Sequence, residues 1–182
     1  MAQNLIFSRS STNGELSADR MNYLAPAIFA DSVKDSLSPR YAQLRTADVL
    51  PVLADHGFVP VQAAQKLSRK TSAEHTQHMV AFAHRDSTPS VSGLEAYNPD
   101  ASRGEIILYN SHDGTGSIKL FAGAYRFICS NGIVAGDGYQ SRLYHNQANV
   151  NSFELMLTNT VKRLPLLLER IEKMRSIQLT RD

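Results

Sequence analysis

Residues 110–134, NSHDGTGSIKLFAGAYRFICSNGIV, contain the residue types of a nucleophilic site: a serine, a histidine, an aspartate and the only cysteine of the chain. Ser111, His112 and Asp113 match the composition of an acyl-transfer triad. Triad partners, however, converge from separated positions so that hydroxyl, imidazole and carboxylate meet in line. Three consecutive residues of a strand or turn point in different directions, so the sequence does not predict catalysis by this trio.

Cys129 is a second candidate nucleophile, with His112 as its base if the two segments pair as strands. A lone cysteine beside Phe127 and Ile128 is more often a small buried hydrophobic residue, and we favour that interpretation. The sequence therefore predicts no catalytic residues and no enzyme activity.

The histidines of residues 74–85 do not have the pattern of metal ligands. His75 and His78 would share a face only on a helix, whereas this segment alternates like a strand and separates them. His78 and His84 share a strand face but lie about 20 Å apart. No pair of cysteines exists for a structural zinc ion. We expect neither a metal ion nor a cofactor.

The glycine-rich segment 113–119, DGTGSIK, has two compatible interpretations. Glycines close to Lys119 suit a nest of backbone N–H groups that holds an anion. Asp113 and Gly114 suit a turn between two strands. The segment lacks the spacing of a Walker A phosphate loop, and we favour the turn.

Length and composition are those of one soluble domain: 182 residues, 42% hydrophobic and 20% charged. No window approaches the roughly 18 apolar residues that a membrane span needs. The N-terminus lacks the order of a secretory signal, and a single cysteine fits a reducing compartment. These features predict a cytoplasmic protein.

The formal net charge of +2 is unevenly distributed along the chain. Residues 71–117 hold two basic and six acidic side chains, whereas residues 118–182 hold nine basic and five acidic ones. Residues 41–70 add a further net charge of +2. The balance falls short of a dedicated duplex-DNA binder. A polyanion remains a possible ligand if the fold joins the two basic regions.

Four segments have the alternation or the β-branched and aromatic composition of strands. They are residues 58–69, 74–85, 104–110 and 117–129. We expect 104–110 and 117–129 to pair as neighbours across SHDGTG, with a bulge near Gly123. Pro60 indicates an edge position for the first strand.

Two helices are predicted around these strands. The first is short, over 47–56, with Thr46 as its N-cap and Gly57 as its stop. The second begins near Asn151, is long, and kinks around Pro165. Its apolar stripe consists of Leu157, Val161, Leu164, Leu168 and Ile171.

The fold class that follows is α+β: a small antiparallel sheet of three to four strands packed on a long C-terminal helix, with a short helix before the sheet. Residues 1–36 are predicted to be a poorly patterned N-terminal arm, and residues 37–182 a single domain.

EIILYNSHDGTGSIKLFAGAYRFICSNGIVAGD, together with LRTADVLPVLADHGFVPVQA and HTQHMVAFAHR, resembles the phage- and plasmid-encoded family built on domain of unknown function nine-three-two. RFICSNGIV and the family motif loop carry most of the resemblance. The loop consists of Asn110, Ser111, His112, Asp113 and Gly114. The resemblance implies a mobile-element origin and a cytoplasmic setting, and it supplies no activity, cofactor or catalytic residue. Family members often extend further at the C-terminus, so it also implies a fragment or a short member.

We expect a nucleic-acid-binding protein that holds or anneals single strands. The predicted sheet backed by a helix is similar to the core of phage single-strand annealing proteins. Single-strand binders combine a basic groove with aromatic platforms. The candidate binding residues are Lys66, Arg69, Lys70, Lys119, Phe121, Tyr125, Arg126 and Arg142. Single-stranded DNA is the favoured partner, and we expect a homo-oligomer.

The alternative is a protein-binding inhibitor of a host defence system. Its support is the implied mobile-element setting, the absence of convincing chemistry, and the apolar segment NYLAPAIFA, residues 22–30, within the N-terminal arm. The aromatic residues of the predicted strands would then belong to the core.

Overall fold

An antiparallel sheet with helices on one of its faces is the framework of the structure, which is a computed structural model. The structure describes residues 5–6, 15–34, 37–66, 71–87, 104–124, 126–127, 134–135 and 138–175. The strands are β1 (Leu5–Ile6), β2 (Phe58–Lys66), β3 (His78–His84), β4 (Gly104–Asn110), β5 (Ile118–Ala124), β6 (Arg126–Phe127), β7 (Val134–Ala135) and β8 (Gly138–Leu143). The α-helices are α1 (Ala18–Leu24), α2 (Thr46–Asp55), α3 (Val150–Val161) and α4 (Leu164–Arg175).

The sheet has the strand order β1-β2-β3-β4-β5-β8, and every neighbouring pair is antiparallel. Five of these strands have six to nine residues, and the two-residue β1 pairs with the end of β2. The α+β class is therefore confirmed, whereas the prediction of three to four strands is wrong. Of the five longer strands, sequence reasoning missed β8. Its alternation is weak because polar Ser141 lies between Tyr139 and Leu143 on the side that faces the protein, and Gly136 and Gly138 stand at its start.

Strand boundaries differ from the predicted ones for local reasons. β3 begins only at His78, because residues 73–75 form a short 3-10 helix. The register shift lies between Pro60 and Gln62 in β2, rather than near Gly123 in β5. Pro60 lies beyond the stretch of β2 that β1 covers, and its carbonyl oxygen accepts a hydrogen bond from the Leu16 N–H (2.7 Å).

The face of the sheet that the helices cover, called the helix face, holds the larger core. Helix residues in this core include Met21 of α1, Leu53 of α2, Phe153 and Leu157 of α3 and Leu164 of α4. The strands add Ala63, Val80, Phe82, Ile106, Leu108, Ile118, Leu120 and Ala122. Each of these strand residues alternates with one on the opposite side, called the far face.

The far face holds a second, smaller cluster. Its buried members are Ala64, Met79, Ala81 and Ile107, with Val61, Tyr109 and Phe121 partly buried against them. Tyr109 and Phe121 meet edge to face, with ring centroids 5.4 Å apart. Alternate residues of β3 and β5 therefore lie on opposite faces of the sheet, as the sequence predicts.

Part of the segment predicted as an N-terminal arm lies in the core. Leu16, Met21, Ala25 and Ile28 are buried in the helix-face cluster. The Ala27 N–H donates to Gln65 Oε1 of β2 at 3.0 Å, which fixes this segment against the sheet. The apolar residues of NYLAPAIFA therefore serve packing, with the exception of Tyr23, which is 77% exposed.

The C-terminal region is two helices rather than one kinked helix. α3 ends at Val161 and α4 begins at Leu164, with Pro165 in its first turn. A proline lacks the N–H donor and clashes with the carbonyl four residues earlier, so the helix breaks here and restarts. The break leaves Lys162 and Arg163 exposed between the two helices.

One predicted helix end is confirmed by the structure and two others lie at different residues. Gly57 has φ 81°, and its N–H donates to the Ala54 carbonyl, which confirms it as the stop of α2. The N-cap of α2 is Arg45 rather than Thr46, because the Thr46 side chain is buried and hydrogen-bonded elsewhere. The N-cap of α3 is Asn149, not Asn151.

Among the described residues, no helix is both long and apolar enough to cross a membrane.

The two asparagines at the start of α3 allow a direct test of this cap. Asn149 Oδ1 accepts the Ser152 N–H at 2.9 Å, whereas Asn151 is exposed within the helix. We expect Asn149→Ala to lower the free energy of unfolding by about 1 kcal/mol, because a helix N–H loses its acceptor. Asn151→Ala is the matched control and should be neutral or slightly stabilising, since alanine is the better helix former. Urea unfolding measures both, and the reverse ranking would contradict the structure.

Candidate functional site

The family motif loop lies between β4 and β5, as the turn interpretation predicts. Gly114 has φ 75°, and an added Cβ would overlap the Leu37 side chain, so the turn needs glycine there. Asp113 Oδ1 accepts hydrogen bonds from the Thr115 N–H (3.0 Å) and hydroxyl (2.7 Å). An aspartate that accepts from the residue two positions on is a standard turn device.

The start of the loop is tied into a buried hydrogen-bonded chain. His78 Nδ1 lies 3.1 Å from the Thr76 carbonyl oxygen, so Nδ1 carries the proton and Nε2 is the acceptor. The Thr46 hydroxyl therefore donates to His78 Nε2 at 2.7 Å. Asn110 Nδ2 donates to Thr46 Oγ1 and to the Leu44 carbonyl, both at 3.0 Å. This chain, called the Thr46 network, joins α2, β3 and β4.

His112 is fully buried beside this network. Its ring lies 5.3 Å from the His78 ring, centroid to centroid, and its Nε2 lies 3.1 Å from the Ala27 carbonyl oxygen. The proton is thus on Nε2, and the lone pair on Nδ1 has no hydrogen-bond partner within the described structure. Burial lowers the pKa of His112 to about 4 and that of His78 to about 3, so both rings are neutral near pH 7.

Tyr41 and His145 complete the buried polar cluster around the loop. Their rings stack at 4.5 Å, and the Tyr41 hydroxyl donates to the Ser111 carbonyl at 3.1 Å. Burial, and then the charge of Asp113, raise the pKa of Tyr41. Burial lowers the pKa of His145, against the influence of the Ala42 backbone and of Asp113. Neither nitrogen of His145, nor the Ser111 hydroxyl, has a partner of normal geometry in the part of the chain described.

The cluster has the character of a structural junction. No hydrogen bond between the side chains of Ser111, His112 and Asp113 occurs in the described structure, although each is a potential partner of the next. No three His, Cys, Asp or Glu side chains among the described residues lie where they could hold a metal ion. Cys129 lies outside the described residues. The cluster holds the β4–β5 loop against Ala27 and against residues 41–46.

The far face presents a different surface at its β5–β8 end. Lys119 of β5 pairs with Arg142 of β8, and Phe121 pairs with Gln140, so all four side chains lie on one face. Arg142 and Gln140 are exposed, and Lys119 and Phe121 are half-buried. We call these four residues the far-face strip. It combines two positive charges with an aromatic ring in adjacent rows of the sheet.

The structure brings together only part of the predicted binding set. Lys119, Phe121 and Arg142 form the strip. Lys66 lies at the far end of β2, on the same face as Ala64 by alternation, and three strands from β5. Arg126 lies in the small β6–β7 pair, separate from the main sheet. Arg69, Lys70 and Tyr125 lie outside the described residues.

Several site residues carry no signal that sequence reasoning could use. Tyr41 and His145 lie outside the helices and strands, without periodic apolar neighbours. The pairing of Lys119 with Arg142 required β8, which was not predicted. Thr46 was singled out, but as a helix cap, because threonine before an apolar stripe is a common capping signal.

Comparison with known proteins gives a family and close sequence relatives. Residues 33–182 match the family described as Domain of unknown function (DUF932). UPF0380 protein YafZ and UPF0380 protein YfjQ, both of Escherichia coli strain K12, are each 32% identical over 125 residues. The match covers 68% of this chain and 42% of each relative, so the chain spans less than half the length of these curated relatives. No solved structure matches the chain.

Neighbouring residues of the loop should differ sharply in their effect on stability. Asn110→Ala removes both donors to the Thr46 network and the acceptor of the Ser111 N–H, so we expect a loss of about 2–4 kcal/mol in unfolding free energy. Ser111→Ala, the control, removes a buried hydroxyl without a partner, so the free energy of unfolding should stay the same or rise by about 1 kcal/mol. Urea unfolding at neutral pH measures both. Equal losses would show that the Ser111 hydroxyl is hydrogen-bonded.

Acid should destabilise the protein through its buried histidines. Between the ordinary histidine pKa of about 6.5 and the folded value of about 3, unfolded His78 binds a proton and folded His78 does not. The contribution of His78 to the free energy of unfolding is therefore fully present above about pH 6.5. Below that pH it falls by about 1.4 kcal/mol per pH unit. We expect His78→Gln to reduce that slope between about pH 4 and 6 by this amount. Parallel slopes in urea unfolding would mean that His78 titrates alike in both states.

Proposed function

Since the chain belongs to the DUF932 family, whose description assigns no activity, we propose a function from the surface itself: a nucleic-acid-binding protein of a mobile genetic element, with single strands favoured. The observation that carries the proposal is the far-face strip, where Lys119 and Arg142 pair across β5 and β8 beside Phe121.

The chemistry of the strip suits a phosphate chain with accessible bases. Lys119 and Arg142 lie on adjacent strands about 5 Å apart at their Cβ atoms, so they attract the same short stretch of backbone. Phe121 follows Lys119 on the same face, about 7 Å further along the strand. A basic surface with an aromatic platform beside it is the arrangement that single-strand binders use.

Lys66 extends this surface if the ligand crosses the sheet. It lies on the far face three strands from Lys119 and two residues beyond Ala64, the residue in line with Lys119, which makes the separation about 16 Å. The positions that continue the Lys119 row across the sheet, Tyr109 and Met79, are half-buried and buried, and contribute no charge. Binding through charge is therefore concentrated at the β5–β8 end.

We propose binding rather than catalysis as the role of the chain. His78 uses both of its ring nitrogens in hydrogen bonds, and His112 is fully buried with its Nε2 committed to Ala27. The loop that carries the family motif then serves to set the position of β5, on which Lys119 and Phe121 lie.

The alternative of a host-protein inhibitor has less support from the structure than from the sequence. Its apolar segment, residues 22–30, contributes Ala25, Ala27 and Ile28 to the interior, each with no exposed surface. Among the apolar residues of that segment, only Tyr23 is exposed. Self-association of the chain, which the sequence also predicts, stays a prediction.

A salt titration tests the binding proposal. We expect a labelled oligothymidylate to bind with log affinity falling linearly against log salt, by about 0.7 per phosphate neutralised. The double variant Lys119→Ala/Arg142→Ala should reduce that slope by about 1.4, because two phosphate contacts are lost. Fluorescence anisotropy at several salt concentrations measures the slope.

The matched control is Arg20→Ala/Lys173→Ala, which removes the same charge from α1 and α4 on the helix side of the sheet. Its slope should equal that of the unaltered protein. Equal slopes for the two double variants would remove the strip from the site. Absence of binding by the unaltered protein at low salt would contradict the proposed function.

A further inference from the structure

β8 is the last strand of the main sheet in the described structure, and its two sides differ in chemistry. Gln140 and Arg142 are exposed on the far face, whereas Tyr139, Ser141 and Leu143 are half-buried on the helix face. A ligand that lies on the far-face strip therefore reaches the outer edge of β8 directly.

An arginine–tyrosine pair lies on each side of this edge. On the far side, the Arg142 guanidinium lies 5.9 Å from the centroid of Tyr144, a ring that is 57% exposed. On the helix side, the Arg163 guanidinium lies 4.3 Å from the centroid of Tyr139. Guanidinium groups at these distances are attracted to the ring face.

The break between α3 and α4 is fixed next to β8. The Ser141 hydroxyl of β8 lies 3.0 Å from the Thr160 hydroxyl of α3, and Thr160 also donates to the Met156 carbonyl (2.7 Å). Lys162 and Arg163 follow at once and are exposed. The second arginine–tyrosine pair is thus held at the same edge as the first, on the other side of the strand.

The charge of this region is one-sided. Residues 138–168 contain Arg142, Lys162 and Arg163 against a single acidic residue, Glu154. Tyr139 and Arg142 are three residues apart along β8, or about 10 Å. A polyanion that passes around the edge of β8 can therefore contact both pairs, which lie on opposite faces of the strand.

We propose that a single-stranded nucleic acid continues from the far-face strip around the edge of β8 to the α3–α4 break, with unpaired bases stacked on Tyr144 and Tyr139 and its backbone held by Lys162 and Arg163. This inference rests on the proposed function and adds to it the recognition of unpaired bases. Stacking needs a free base face, which a duplex does not offer, whereas every unpaired base has one.

Tyrosine variants test the stacking part of the proposal. Tyr144→Ala and Tyr139→Ala should each weaken binding of a labelled oligothymidylate by about 5- to 150-fold, the equivalent of one stacked base. Tyr144→Phe and Tyr139→Phe, the matched controls, retain the ring and should bind within about twofold of the unaltered protein. The salt slope should stay the same in all four, because no charge changes.

The labelled oligothymidylate annealed to oligodeoxyadenylate serves as the duplex ligand for comparison. We expect the alanine variants to leave duplex binding unchanged, so that selectivity for the single strand falls. Lys162→Ala/Arg163→Ala should flatten the salt slope for the single strand by about 1.4. Thermal unfolding of each variant distinguishes a loss of binding from a loss of folding. Tyr144→Ala should fold normally, because Tyr144 is mostly exposed.

The possible failures are distinguishable. If Lys119→Ala/Arg142→Ala flattens the salt slope while the tyrosine variants and Lys162→Ala/Arg163→Ala bind like the unaltered protein, the path around β8 is wrong and the proposed function stands. If single strand and duplex lose affinity equally in Tyr144→Ala, the recognition of unpaired bases is wrong. If the unaltered protein binds no oligonucleotide, both proposals fail.

Discussion

The Thr46 network is the constraint on which the arrangement of this protein depends. Because His78 donates to Thr76 and accepts from Thr46, and Asn110 donates to Thr46, each polar group has one defined role. A buried polar group without its partner costs about 1–3 kcal/mol, so the beginning of α2, the beginning of β3 and the end of β4 can meet in one arrangement only. The apolar core alone would tolerate small shifts between these elements.

The position of the proposed binding surface follows from this junction. The family motif loop leaves β4 at Asn110 and returns as β5, whose register with β8 brings Lys119 opposite Arg142. A slip of one residue in β5 would turn Lys119 and Phe121 into the helix-face core. The buried histidines therefore help to fix β5, the strand that carries Lys119 and Phe121 of the far-face strip.

Sequence reasoning identified the elements better than the contacts between them. Alternation in residues 78–84 and 118–124 separated the two faces of the sheet correctly, because side chains of a strand point to opposite sides with a period of two. It missed β8, where polar residues weaken that signal, and it assigned Thr46 to a cap. Of the proposed binding residues, the sequence indicates Lys119, Phe121 and Arg142, and it gives no signal for Tyr139, Tyr144 and Arg163.

The sequence by itself determined the α+β class, the turn between β4 and β5, and the family, because these depend on local periodicity, on glycine conformation and on a distinctive motif. Only the tertiary structure decided that Asn110 and His78 belong to one hydrogen-bonded chain, and that Lys119 faces Arg142 beside an arginine–tyrosine pair. The contacts of Thr46 with His78 and Asn110, and the pairing of Lys119 with Arg142, join residues separated by more than twenty positions. No local pattern encodes them, since they arise from the pairing order of the strands and from the requirement that buried polar atoms find partners.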